Sequence, residues 1–139
     1  MPARPTVPNL AVGATVVEVS SVFSDAWAAA NAIDGDLSTE WATAADGDCG
    51  YLVVDLGRRQ AITGVAFLTR SMADGFATAQ RYSVTADGGA RFGPFPVGMA
   101  HDERFAAVEM TARRIRFDIE SSTGGNTGAV EIRVYGANR

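Results

Sequence analysis

The chain has no lysine. All twelve of its basic residues are arginine, set against sixteen acidic ones and one histidine, for a formal net charge of −4. Nucleic-acid binders gather positive charge on one face to displace counterions from phosphates, so this acidic balance excludes nucleic acid as the expected partner. Cys49 is the only cysteine, and an internal disulfide is therefore impossible. With one histidine and one cysteine there is no metal-hydrolase cluster and no local Cys–His pair. A Gly-x-Ser-x-Gly elbow and a phosphate-cradling glycine loop are also missing, which leaves an enzyme with little support. No apolar run approaches the roughly 20 residues of a membrane-spanning helix. Helical patterning is scarce too, and only the stretch 25–32 reads as a short helix.

What is present suits one soluble domain. A chain of 139 residues, 47% hydrophobic and 20% charged, can bury roughly two-thirds of its unfolded surface and build a core without staples. The opening Met1-Pro2-Ala3-Arg4-Pro5-Thr6-Val7-Pro8 lacks the apolar stretch of a signal peptide and reads as a Pro-rich linker. Residues 1–12 are therefore expected to be linker or extended chain, and residues 13–139 the domain.

The dominant period within that domain is two. In Arg114-Ile115-Arg116-Phe117-Asp118-Ile119-Glu120 every second residue is apolar and its neighbours are charged, the pattern of a half-buried antiparallel strand. Val130-Glu131-Ile132-Arg133-Val134-Tyr135 and Arg81-Tyr82-Ser83-Val84-Thr85-Ala86 repeat it. Tyr51-Leu52-Val53-Val54-Asp55-Leu56 and the run 62–68 are more continuously apolar, as central strands are, and 15–19 is rich in β-branched residues. Turn signals separate the runs at Asp34-Gly35, Asp46-Gly47, Leu56-Gly57, Asp87-Gly88-Gly89 and Gly124-Gly125-Asn126. The expected fold is all-β, an antiparallel β-sandwich.

One loop concentrates oxygen donors: Asn31-Ala32-Ile33-Asp34-Gly35-Asp36-Leu37-Ser38-Thr39-Glu40-Trp41. Calcium takes about 6–8 hard oxygen ligands and accepts backbone carbonyls, which a tight loop can turn inward. The spacing is not that of an EF-hand. Taken alone, the stretch reads first as an Asx turn running into an Asp-Gly reverse turn, with an ion as the second reading.

Its neighbours in the sequence add context. After the loop come Tyr51-Leu52-Val53-Val54-Asp55-Leu56-Gly57, the run 62–70, Tyr82-Ser83-Val84-Thr85-Ala86-Asp87-Gly88, Ala112-Arg113-Arg114-Ile115-Arg116-Phe117 and Ala129-Val130-Glu131-Ile132-Arg133-Val134-Tyr135-Gly136. This order resembles the discoidin, or coagulation factor type C, superfamily of galactose-binding-like jelly-roll domains, which includes bacterial carbohydrate-binding modules. The resemblance covers about residues 20–136. It implies a structural calcium ion held by the Asn31 carbonyl, the Asp34 carboxylate, the Asp36 carbonyl and Thr39, with the Val130 carbonyl and Glu131 closing the shell. Without it, Glu131 reads as a solvated acid on the polar face of the last strand. The resemblance also implies that Trp41 packs beneath the sheet, while Trp27 is expected to pin the same loop region.

In the sugar-binding relatives the glycan lies among loops at one end of the sandwich, near the calcium loop. Arg70 ends the run 62–69, where such relatives often carry a ligand arginine; the competing reading is a surface ion pair with Asp74. Phe76 is either an exposed stacking ring or a core plug beneath its loop. Asp46, with Asp48 and Tyr51, flanks a turn that could line the same end, and Asn126 sits in the Gly124-Gly125-Asn126-Thr127-Gly128 loop. Galactose-preferring relatives place a histidine just after the tryptophan, where this chain has Ala42 and Thr43, so galactose is put in doubt. His101 is expected to be a solvated loop residue and Cys49 an unreactive thiol. The resulting expectation is a noncatalytic, lectin-like module for carbohydrate, extracellular or at a cell surface, in some cases appended to a larger enzyme. The alternatives are a protein- or lipid-interaction domain and a purely structural appendage, with membrane lipid disfavoured by the acidic charge.

Overall fold

The computed structural model describes residues 9–70, 76–99 and 101–136. Among these residues seven strands form: β1 (Thr15–Val19), β2 (Trp41–Ala42), β3 (Tyr51–Thr69), β4 (Ala79–Ala86), β5 (Arg91–Pro96), β6 (Ala106–Ser122) and β7 (Gly128–Gly136). Every strand pairing is antiparallel. The hydrogen-bonded order is β2-β7-β3-β6-β4-β5, with β1 also paired to β3.

Two long strands pass through both layers and make the sandwich. The first part of β3 pairs Tyr51 with Asp118 and Asp55 with Arg114, while β1 lies on its other side. Its later part pairs Gln60 with Ala112 on one side and Val65 with Val134 on the other. Between Asp55 and Gln60 the register breaks. The Leu56-Gly57 pair, expected to be a turn between two strands, is a bulge inside one strand. Gly57, at φ +88°, takes a backbone conformation that side-chain-bearing residues avoid, and so lets the chain swing from one layer to the next.

The inner faces follow the alternation read from the sequence. Ile115, Phe117 and Ile119 are buried, and Arg114, Arg116, Asp118 and Glu120 face outward. Phe67 from one layer meets Tyr82 from the other with ring centroids 5.3 Å apart, and Tyr82 stacks on Phe117 at 6.1 Å. Trp41 is fully buried and its indole N–H donates to the Ser21 carbonyl at 3.1 Å, so its polar edge is satisfied in the core. Burial of each such side chain contributes about 1.5–3 kcal/mol.

Four local features differ from the expectation. The stretch 25–32 is not one helix but two 3₁₀ turns, Asp25–Trp27 and Ala29–Ile33, broken at an extended Ala28; a segment this short cannot repay helix nucleation. Strand β5 contains Gly93 and Pro94, residues that read as breakers yet are tolerated on a sheet edge. The end of the supposed linker belongs to the domain: Leu10 N–H donates to the Val134 carbonyl at 2.7 Å and Ala11 is fully buried. Finally, Leu68 pairs with Glu131 but Thr69 with Ala129, which leaves Val130 as an extra residue in β7. That bulge shifts the parity of the strand, and Val130 and Glu131 are both buried.

Candidate functional site

The 31–39 loop is closed by its own side chains. Asn31 donates its amide to the Ala26 carbonyl at 3.0 Å and to the Glu40 carbonyl at 3.1 Å. One Asp34 carboxylate oxygen accepts the Asp36 N–H at 2.9 Å, an Asx turn, and the other accepts the Thr39 hydroxyl at 2.5 Å. Thr39 also lies 3.1 Å from the Asp36 carbonyl. Asp36 accepts both the N–H and the hydroxyl of Ser38, and these bonds, the hydroxyl first, lower its pKa. Gly35 supplies the tight turn at φ +75°. Both the local turn and a convergence of oxygens on Asp34 and Thr39 are therefore present.

Glu131 is the unusual partner. Instead of a solvated surface acid it is a carboxylate 2% exposed, with one oxygen accepting the Asn9 amide at 3.3 Å and the other finding no hydrogen-bond partner among the described residues. Burial pushes its pKa up to about 7; Arg133 and a backbone hydrogen bond from Gly35 oppose the shift, and the negative Asp34 and Asp36 add to it. A buried carboxylate with one unpaired oxygen beside two further acids is costly by itself and is the chemistry that a bound cation relieves. Among the described residues no three His, Cys, Asp or Glu side chains form a metal cluster, so a cation here would also draw on carbonyls. The bulge at Val130 takes that residue out of the regular ladder, and the donors are all oxygen, as a hard cation such as calcium prefers.

The two ends of β3 meet at one end of the sandwich, because the strand folds back at its bulge. Around them the Gly47 N–H donates to the Gly125 carbonyl at 3.0 Å, Thr43 N–H to the Thr127 carbonyl at 2.7 Å, and Thr123 N–H to the Thr78 carbonyl at 3.0 Å. Arg70 stands among these loops. Its Nε donates to Glu40 at 2.7 Å, one Nη to the Asn126 carbonyl at 2.7 Å, and its guanidinium lies 5.0 Å from the centre of the Trp27 ring. Arg70 is only 9% exposed, so it ties three segments together, with its ion pair made to Glu40. Asp74, the partner weighed from the sequence, lies outside the described residues.

Phe76 is 66% exposed, which overturns the core-plug reading. Asp46 accepts the Ser21 hydroxyl at 2.6 Å and Asp48 that of Ser122 at 2.5 Å. Tyr51 points elsewhere: its hydroxyl donates to Glu18 at 2.7 Å and its ring lies under Arg116. Ala42 and Thr43, where galactose-preferring relatives carry histidine, are buried. Two open grooves border the Arg70–Glu40 pair. One, of about 360 Å³, includes Arg70, Thr78, Gln80 and Met99; the other, of about 610 Å³, includes Asp36, Ser38, Glu40 and His101. Glu40 and Asn9 were not singled out from the sequence. Their partners stand 30 and 122 positions away, and no local pattern marks such pairs.

A two-layer antiparallel fold of this order with an oxygen-rich loop against its last strand defines a class, and comparison with known proteins gives it a family. The sequence pattern of the F5/8 type C domain matches residues 16–132 of the chain. The chain belongs to the F5/8 type C domain family. No curated protein sequence matches it. Among solved structures, chitosan-binding module 1 of a chitosanase/glucanase from Paenibacillus sp. IK-5 is 23% identical, with a TM-score of 0.69, covering 93% of this chain and 99% of that one. The family 32 carbohydrate-binding module of NanJ from C. perfringens, solved with galactose, is 20% identical with a TM-score of 0.72, over 88% of this chain and 93% of that one. A Clostridium perfringens module in complex with GalNAc-beta-1,3-galactose is 20% identical with a TM-score of 0.76, over 92% and 99%. These likenesses establish the fold.

Proposed function

We propose that the chain is a noncatalytic carbohydrate-binding module that holds glycans among the loops around Arg70 and carries a structural calcium ion between the 31–39 loop and Glu131. The observation that supports the glycan reading best is Arg70 itself, fixed by Glu40, the Asn126 carbonyl and Trp27 among three converging loops, with Phe76 exposed in the adjoining loop. A sugar needs fixed polar groups for its hydroxyls and an aromatic face for its C–H side. An arginine already immobilised loses little further entropy on binding. The same fold carries named sugar ligands in its relatives, and the module is accordingly assigned to the extracellular or cell-surface setting, alone or appended to a larger enzyme.

A glycan array tests this. A restricted set of bound glycans, lost on Phe76→Ala with the melting temperature unchanged, is the expected result; silence across a broad array removes the reading. Two exposed rings, Phe23 at 55% and Phe76 at 66%, support a second reading as a lipid-interaction domain. Sedimentation with anionic vesicles separates the two, since the carbohydrate module stays in the supernatant.

A further inference from the structure

At the end of the sandwich opposite the Arg70 loops, five arginines cluster among four acids, Glu18, Asp55, Asp87 and Asp118. Arg58 and Arg59 lie in the β3 bulge, Arg113 and Arg114 stand at the corresponding bend of β6, and Arg116 follows on the outward face. The acids among them are already engaged. Asp55 accepts the Gly57 N–H at 2.8 Å, Arg113 Nε at 2.8 Å and Arg114 Nε at 3.2 Å. One oxygen of Asp87 accepts the N–H groups of Arg113 and Arg114, and the other accepts Arg59 at 2.8 Å. Both oxygens of Asp118 face Arg116 Nε at 3.0 Å.

The manner of engagement matters. Arg113, Arg114 and Arg116 are each held through Nε, and among the described residues their Nη pairs make no hydrogen bond. These side chains remain 53%, 59% and 43% exposed. Arg116 also lies 3.9 Å from the centre of the Tyr51 ring, which fixes its plane. The result is a row of half-exposed guanidinium groups anchored through Nε, and Arg114 and Arg116, two residues apart on one strand, stand about 7 Å from each other.

A groove of about 390 Å³ crosses this face over β3, β6 and β4, with Glu18 and Val53 on one side of Arg114 and Arg116 and Thr85, Asp87 and Gly88 on the other. That volume falls within the roughly 300–1,000 Å³ of ligand clefts. We infer that this groove is a second ligand site, separate from the Arg70 loops, which takes an acidic saccharide unit through a carboxylate or sulfate bound by Arg114 and Arg116. Val53 and Thr85, half-buried on either side of Arg116, flank the anion-binding arginines with apolar surface, Glu18 offers an acceptor for sugar hydroxyls, and Asp87 is already engaged by Arg59 and the Arg113 and Arg114 N–H groups. A bare anion would use the forks and leave the rest of the groove unused.

Titration calorimetry on the whole chain with three probes tests this: an oligogalacturonate, its methyl ester, and a sulfated dextran oligosaccharide. Binding of the oligogalacturonate or the sulfated probe, weakened at least tenfold by 0.5 M salt, is expected, and the methyl ester should not bind. Which of the two anionic probes binds distinguishes carboxylate from sulfate. Arg114→Gln/Arg116→Gln should lower the affinity at least tenfold, while Arg91→Gln, an exposed arginine on β5 outside the groove, leaves it unchanged. If the double variant fails to fold, Arg116→Lys, which keeps the charge and loses the fork, should still weaken binding several-fold. Silence with both anionic probes, equal binding of the methyl ester, or affinity indifferent to the arginine variants overturns the inference. So does binding confined to anionic phospholipid vesicles.

Discussion

Replacing Glu131 by glutamine should make the calcium-free protein more stable at pH 8 and at the same time abolish its stabilisation by calcium. The first half follows from the pKa of about 7 that burial imposes on this carboxyl, against its ordinary value of 4.5. Between these values the unfolded chain has released the proton that the folded chain keeps, so the unfolded state binds fewer protons and stability falls as pH rises. The loss begins above about pH 4.5 and is complete above about pH 7, and it amounts to about 3 kcal/mol for a shift of this size. Glutamine carries no charge to bury and should recover most of it, on the order of 10 °C in melting temperature for a domain of this length. The second half follows from the proposed clamp. A cation between Glu131, Asp34 and the loop carbonyls turns the costly charge into a ligand, and an ion that binds only the folded state adds about 2.7 kcal/mol at a hundredfold excess over Kd. Thermal melts from pH 4.5 to 8, with chelator and with calcium, check both halves. In chelator the wild type should lose stability as pH rises and the variant should not; a wild-type melt unmoved by calcium at pH 8 would contradict the clamp.

The second large effect is expected at Arg70. Its side chain is 9% exposed and that of Glu40 13%, whereas Arg91 and Glu120, a pair on the sheet face, are 59% and 28% exposed. Breaking a buried pair by removing one partner leaves an uncompensated charge and costs about 3–5 kcal/mol; loss of an exposed pair costs about 0–1 kcal/mol. Arg70→Ala should therefore lower stability several times more than Arg91→Ala, and it should also free the 122–128 loop, whose Asn126 carbonyl loses its donor. A double-mutant cycle in urea with Arg70→Met and Glu40→Gln should give a coupling above about 1 kcal/mol. Additive single effects would mean that the pair is not an energetic unit. Because Arg70 serves the fold as well as the proposed glycan site, the exposed Phe76 is the cleaner test of binding.

Fold class and strand pattern could be read from the sequence wherever one residue in two is apolar. The run 114–120 is the clearest case: side chains alternate about the strand axis, and Ile115, Phe117 and Ile119 occur with the matching period. The reading failed where the backbone departs from that regularity. Gly57 looked like a turn because the same φ that makes turns also makes bulges. Gly93 and Pro94 hid β5, since only its position at the sheet edge makes them harmless. Glu131 keeps the outward parity of Arg133, opposite Ile132 and Val134, yet lies buried because Asn9 and the 31–39 loop cover that face of β7, a covering that no strand period records. The oxygen-rich loop was visible because its residues are neighbours in sequence. The Glu40 anchor of Arg70 was not, for ion pairing between distant positions leaves no period and no spacing to detect.

The glycan site at the Arg70 loops is tested most directly by a two-dimensional amide NMR titration with the oligosaccharide that ranks first on the array. Chemical shifts should move at Glu40, Gly47, Arg70, Phe76 and Asn126, which frame the converging loops, and stay fixed at Gly88 and Arg114 on the far groove. Shifts confined to that groove, or none at saturating ligand, would contradict a binding site among the Arg70 loops.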